Sequence, residues 1–197
     1  MKALFSTADL ITPQKAEQLQ PKKEAEAIAF STEPVFERGP DLEAIRATIG
    51  ELQPGQSVCF KTDGAWSNYY LLEYILQLTG PAEVCFTTWA ISEIAITKFL
   101  SWQASGLITE LHAVIDVGLR NKKPAIYHRA AATFTNLKFA HCHAKATVIT
   151  NGSHHITLIG SANYTKNPRK EVGVIIWDKN IALANQRWIK EVTNGAA

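Results

Sequence analysis

Apolar positions along this chain change their spacing at intervals, and each change predicts a new element. In DLEAIRATIGELQPG, residues 41–55, Leu42, Ile45, Ile49 and Leu52 recur at helical spacing and the run stops at Gly and Pro, which predicts a helix. SVCFKT then reads as a buried strand, AWSNYYLLEYILQLTG as a helix closed by Gly80, AEVCFTTW as a strand, and SEIAITKFLSWQASG as a helix from Ser92 to Gly106. The strand ELHAVIDVG and the helix PAIYHRAAATF follow. Three strands, LKFAHCHAKATVIT, HITLIGSAN and EVGVIIWD, and a last helix, IALANQRWIKEVT, complete the order. Strands alternating with helices predict a layered α/β domain, and the consecutive strands near the C-terminus make its β-sheet mixed, flanked by helices.

Residues 1–40 lack this pattern. Stretches such as TPQKAEQLQPKKEAEA mix Pro, Lys, Glu and Gln with few apolar residues, so the segment is expected to be an N-terminal arm or tail, with one short helix and an edge strand around AIAFS. The core is expected over 41–197. A chain of 197 residues with 46% hydrophobic and 19% charged residues fits one well-packed domain and excludes a disordered or fibrous protein.

No apolar run approaches the roughly 18 uncharged residues of a spanning helix, and MKALFSTADLITPQK is too short in apolar residues for a secretory signal, so a cytoplasmic protein without a transmembrane segment is expected. Cys59, Cys85 and Cys142 are an odd set with no CxxC pair and read as reduced core residues. Net charge is only +2, but residues 111–197 hold twelve Lys/Arg against four Asp/Glu while 41–110 hold three against eight. An anionic partner would therefore meet the C-terminal part, although a solvated basic face is the simpler explanation.

The chemistry concentrates in HCHAKATVITNGSHHITLIGSAN, residues 141–163. On one continuous strand His141, His143, Lys145 and Thr147 would share a face, with Cys142, Ala144, Ala146 and Val148 packed on the other. A hairpin symmetric about Ser153 would set Lys145 opposite Ser161 and His143 opposite Asn163, converging four polar side chains on one patch.

HAK at 143–145 followed by GSAN at 160–163 resembles the His-x-Lys and Gly-Ser-x-Asn signature of the phospholipase D superfamily. Glu171 stands where that family has an acidic residue entering the next strand. The motif resemblance covers about thirty residues, and the element order from 41 to 193 fits the family's α/β domain. Two departures stand out: Thr150 occupies the place of the family's Asp, five residues after the Lys, and the hairpin turn is three residues longer.

The resemblance implies a metal-independent phosphodiesterase with no cofactor. His143 would act through a phosphohistidine, Lys145 and Asn163 would hold the non-bridging oxygens, Ser161 would add a hydroxyl and Glu171 would orient the imidazole. One copy of the motif supplies one such histidine, so the resemblance further implies a homodimer with a shared site. Basic residues in LRNKK and TKNPRKE, namely Arg120, Lys122, Lys123, Lys166, Arg169 and Lys170, are candidates for backbone contacts with DNA or RNA. A non-catalytic nucleic-acid-binding module and a phospholipid-handling enzyme are the alternatives.

A zinc site from His141, Cys142, His143, His154 and His155 is a rival reading, disfavoured because Cys142 would point away from its neighbours and Lys145 would place a cation by the metal. His154 and His155 read as turn residues, His112 as a satisfied core residue, and His128 as solvent- or phosphate-facing. Trp89 and Trp66, each just past a strand, read first as packing residues and stay outside the expected site.

Overall fold

A computed structural model describes residues 25–29, 36–37, 42–166 and 168–195. The short helix expected in the N-terminal segment lies outside them. The strands are β1 (Ala25–Ala29), β2 (Phe36–Glu37), β3 (Ser57–Asp63), β4 (Ala82–Thr88), β5 (Ile108–Asp116), β6 (Asn136–Ala140), β7 (Ala146–Thr150), β8 (His155–Gly160) and β9 (Lys170–Trp177). The helices are α1 (Leu42–Ile49), α2 (Asn68–Thr79), α3 (Glu93–Ala104), α4 (Leu119–Lys122), α5 (Pro124–Thr133) and α6 (Lys179–Thr193).

All nine strands form one sheet in the order β2-β1-β3-β9-β8-β7-β4-β5-β6. The β4–β5 and β5–β6 pairs are parallel and the others antiparallel, so the sheet is mixed as expected. β1 and β2 come from the segment read as an arm, and β1 pairs with β3 while β2 forms the sheet edge.

Each face of the sheet is covered differently. On one face, Ile45 of α1, Leu72 and Ile75 of α2 and Phe99 of α3 bury against Val58, Phe86 and Ile115. On the other, α6 sets Ala182 and Ile189 against Cys85, Val114, Cys142 and Val148. The cap residues explain the helix limits. Ser92 accepts the N–H of Ala95 to start α3, Asp178 accepts that of Ile181 to start α6, and Gly80 ends α2 at φ 68°. Within the basic stretch LRNKK, Leu119–Lys122 form the one-turn α4, anchored by buried Leu119.

Two expectations about the motif region are corrected. LKFAHCHAKATVIT is not one strand: β6 lies beside β5 at the sheet edge and β7 lies on the far side of β4. Residues 141–145 must therefore cross over the ends of β5 and β4 to join them. The hairpin register also differs by one residue. Ala146 pairs with Ile159 and Thr150 with His155, and the N–H of Gly160 reaches the carbonyl of Lys145 at 3.1 Å, so Lys145 faces Gly160 and not Ser161. The turn sets this register, because Asn151 Oδ1 accepts the N–H groups of Ser153 and His154 at 3.0 and 2.8 Å and centres the loop before Ser153.

Candidate active site

The crossing segment lies where β4 and β5 end and β7 begins. That is the carboxyl end of the parallel strands, where an open α/β sheet leaves a crevice. Within it His141, His143 and Ala144 are exposed while Cys142 is buried under α6. Burial holds the Cys142 thiol above its ordinary pKa.

Asp116, the last residue of β5, fixes this segment. Its Oδ2 accepts the N–H of Cys142 and its Oδ1 that of Gly118, both at 3.0 Å. A Cβ on Gly118 would lie 2.7 Å from that Oδ1, so the glycine makes room for the carboxylate. The N–H of Val117 adds a bond to the Ala140 carbonyl at 2.8 Å. Hydrophobic spacing gives no warning of this role. The local signal is an Asp at a strand end two residues before Gly, a pattern of Asx turns.

Lys145 turns back on His143. Its ammonium donates to the His143 carbonyl at 2.8 Å and lies 3.3 Å from Nδ1 of the ring. A cation is thus held beside an exposed imidazole.

The Gly-Ser-x-Asn segment leaves β8 at the same end. Gly160 is pressed against β9, where a Cβ would meet the Val172 carbonyl at 2.8 Å. Ser161 donates its hydroxyl to Glu171 and accepts the N–H of Val172 at 3.0 Å. The structure therefore brings Glu171 to Ser161; among the described residues it makes no hydrogen bond to His143.

Asn163 Oδ1 accepts the backbone N–H groups of Trp89 and Ala90 at 3.1 and 3.2 Å. These donors fix the amide's orientation and turn Nδ2 to serve as the donor. Tyr164, fully buried, then locks the segment by a hydroxyl contact with Thr147 at 2.7 Å and by packing on Phe86 and Phe99.

Four of the six expected basic contacts converge. Lys122, Lys123, Lys166 and Arg169 line a cavity of about 310 Å³ together with Trp89 and Asn163. Lys170 pairs with Asp63 at 2.6 Å, and Arg120 is exposed on α4. Trp89, set aside above, lines this cavity: its ring is 6.1 Å from that of His143, and the Lys122 ammonium lies 4.0 Å over it. Trp66 is instead buried against Phe60. Thr150 stands at the other end of β7, about 13 Å from its start at the usual strand rise, where its hydroxyl accepts the Gln186 amide at 2.8 Å.

The one group of potential metal ligands among the described residues is Glu83, Glu110 and His112, at the opposite end of β4 and β5. The Lys190 ammonium is bound there to Glu83 at 2.7 Å, and His112 is satisfied by Glu110 at 2.8 Å and Thr193 at 3.0 Å. Among the described residues no helix is long and apolar enough to cross a membrane.

No protein-family model matches the chain, and no curated protein matches its sequence. Among solved structures it is similar to a phospholipase D family member, Nuc from Salmonella typhimurium, at 16% identity and TM-score 0.49, over 62% of this chain and 86% of that one. It is similar to NucT from Helicobacter pylori at 17% identity and TM-score 0.47, over 62% and 87%. A third likeness, to polyphosphate kinase from Porphyromonas gingivalis, has 12% identity and TM-score 0.53 and covers 70% of this chain but only 26% of that enzyme. At 12% identity this third likeness is one of fold. The layered α/β domain with a mixed sheet expected from the alternation of strands and helices is the fold this chain has.

Proposed function

We propose that the chain is a phospholipase D-like phosphodiesterase acting on nucleic acid: a cytoplasmic, homodimeric endonuclease that cleaves DNA or RNA through a phosphohistidine on His143 without a metal cofactor. The observation that carries this reading is the exposed His143 imidazole held 3.3 Å from the Lys145 ammonium, beside a cavity rimmed by four cationic side chains.

In the reaction a nitrogen of His143 attacks phosphorus. The N–P bond forms as the P–O bond to the leaving group breaks, and an imidazolium, His143 of a second copy, gives its proton to the departing oxygen. Water then attacks phosphorus and surrenders its proton to that second imidazole, and the N–P bond breaks. Lys145 and the Nδ2 of Asn163 stabilise the non-bridging oxygens. Ser161 and Glu171 hold the start of β9 against the motif. Two exposed apolar side chains support an interface near the site: Ile159, 39% exposed and two residues before Ser161, and Val172, 56% exposed and directly after Glu171.

Hydrolysis of single- and double-stranded DNA in excess EDTA by wild type and His143→Ala tests the reading. Cleavage by wild type alone is expected. Equal cleavage by both would place the nucleophile elsewhere, and binding without cleavage by wild type would leave a nucleic-acid-binding module in which the family's Asp is Thr150.

A further inference from the structure

We propose that Trp89 is a stacking platform for a nucleobase adjoining the phosphate held at His143, which makes single-stranded nucleic acid the substrate class of this site. The inference rests on the phosphodiesterase reading for where the phosphate lies; the platform itself rests on the ring and its surroundings.

Trp89 follows the last residue of β4, and its backbone N–H is tied at 3.1 Å to the same Asn163 amide that belongs to the motif. Ring and phosphate-binding donor are thereby positioned by one hydrogen bond. Trp66 and Trp102 are spent on the core at 7% and 6% exposure, but Trp89 is half-buried and lines the cavity beside the motif. The cavity lining also holds Ala90, buried Leu119, Asn163 and Thr165, and among the described residues its charged side chains are all cationic. An aromatic wall beside four cationic side chains matches a ligand that joins a flat base to a phosphodiester.

The spacing fits as well. In a nucleotide the base stands one sugar away from its phosphate, the scale of the 6.1 Å between the Trp89 and His143 rings. The Lys122 ammonium now covers the indole at 4.0 Å. A cation–π contact at an exposed site is weaker than base stacking, so a base displaces the ammonium, which the lysine's flexible stem then carries to the strand's phosphates. A paired duplex hides its base faces and would have to unstack a nucleotide first.

The test uses the full chain carrying His143→Ala, in EDTA, with binding read by fluorescence anisotropy. Probes are a short single-stranded oligodeoxynucleotide, the same strand with abasic sites, and the duplex. Adding Trp89→Ala is expected to weaken the single strand about tenfold, the order of one lost stack, and Trp89→Phe to restore most of that affinity. The abasic strand should bind the parent weakly and ignore Trp89→Ala. Equal affinity for ordinary and abasic strands, an equal loss for both on Trp89→Ala, or no binding of single strands at all would overturn the platform. Because binding is read without any need for turnover, a positive result stands even if wild type proves unable to cleave DNA, which separates failure of this inference from failure of the proposed reaction.

Discussion

The carboxylate of Asp116 accepts the backbone N–H of Cys142 at 3.0 Å, and the residue after Cys142 is His143. A side chain at the end of β5 thus decides where the candidate nucleophile stands. Asp116→Ala is expected to lower the cleavage rate by roughly tenfold or more, since a displacement of about 1 Å at a reacting centre is costly, with affinity for an uncleavable strand near that of wild type. Parallel measurements of rate and binding check this, and an equal loss in both would reduce Asp116 to a merely structural residue.

Gly160 pairs with Gly173 of β9, with the Val172 carbonyl 2.8 Å and the Gly173 Cα 3.2 Å from the position of a Cβ. Both neighbours are backbone and cannot swing aside. Gly160→Ala should therefore destabilise the fold by about 1–3 kcal/mol, read as a lower urea midpoint with an unchanged slope. A midpoint equal to wild type would show that the strands separate without cost.

Glu110 has its pKa lowered, first by the hydrogen bond from His112 and further by Lys190, against an opposing effect of burial. A folded pKa below the ordinary 4.5 means that Glu110 stabilises the fold above that pH and that the contribution disappears as pH falls through the lowered value. Half-exposure of the carboxylate keeps the effect small. Melting temperatures of wild type and Glu110→Gln should differ at neutral pH and converge as pH falls through the lowered value; a gap that persists in acid would contradict this origin.

Val172 is 56% exposed on the strand that carries Glu171. If this face joins two copies, Val172→Asp buries a charge in the interface and shifts the protein to monomers while the isolated fold stays intact. Sedimentation velocity on both proteins decides. Wild type already monomeric at working concentration would remove the shared site.

Much of this architecture was legible in hydrophobic spacing, because the long helices and buried strands follow simple periods. Ser92, Gly80 and the Pro at the start of α5 mark their ends chemically. The break between β6 and β7 was not legible. A segment that crosses over strand ends still alternates exposed His141 and His143 with buried Cys142, so it carries a strand's signature without a strand's partners. The register depended on the side-chain bonds of Asn151, which symmetry about Ser153 ignores. Motif residues marked the region, but Asp116 and Trp89 come from strand ends distant in sequence and meet it only through the sheet order.

That order has a consequence for how the molecule is made. Cys59 of β3 pairs with Val174 of β9, and Cys85 of β4 with Val148 of β7. A chain emerging from its N-terminus first must carry both early strands with one bare hydrogen-bonding edge each until late segments arrive. Such distant pairings slow folding and leave those edges open to other chains meanwhile. Synthesis halted before Lys170 would yield a product that self-associates, and completion of the last strand is the event that makes the protein safe.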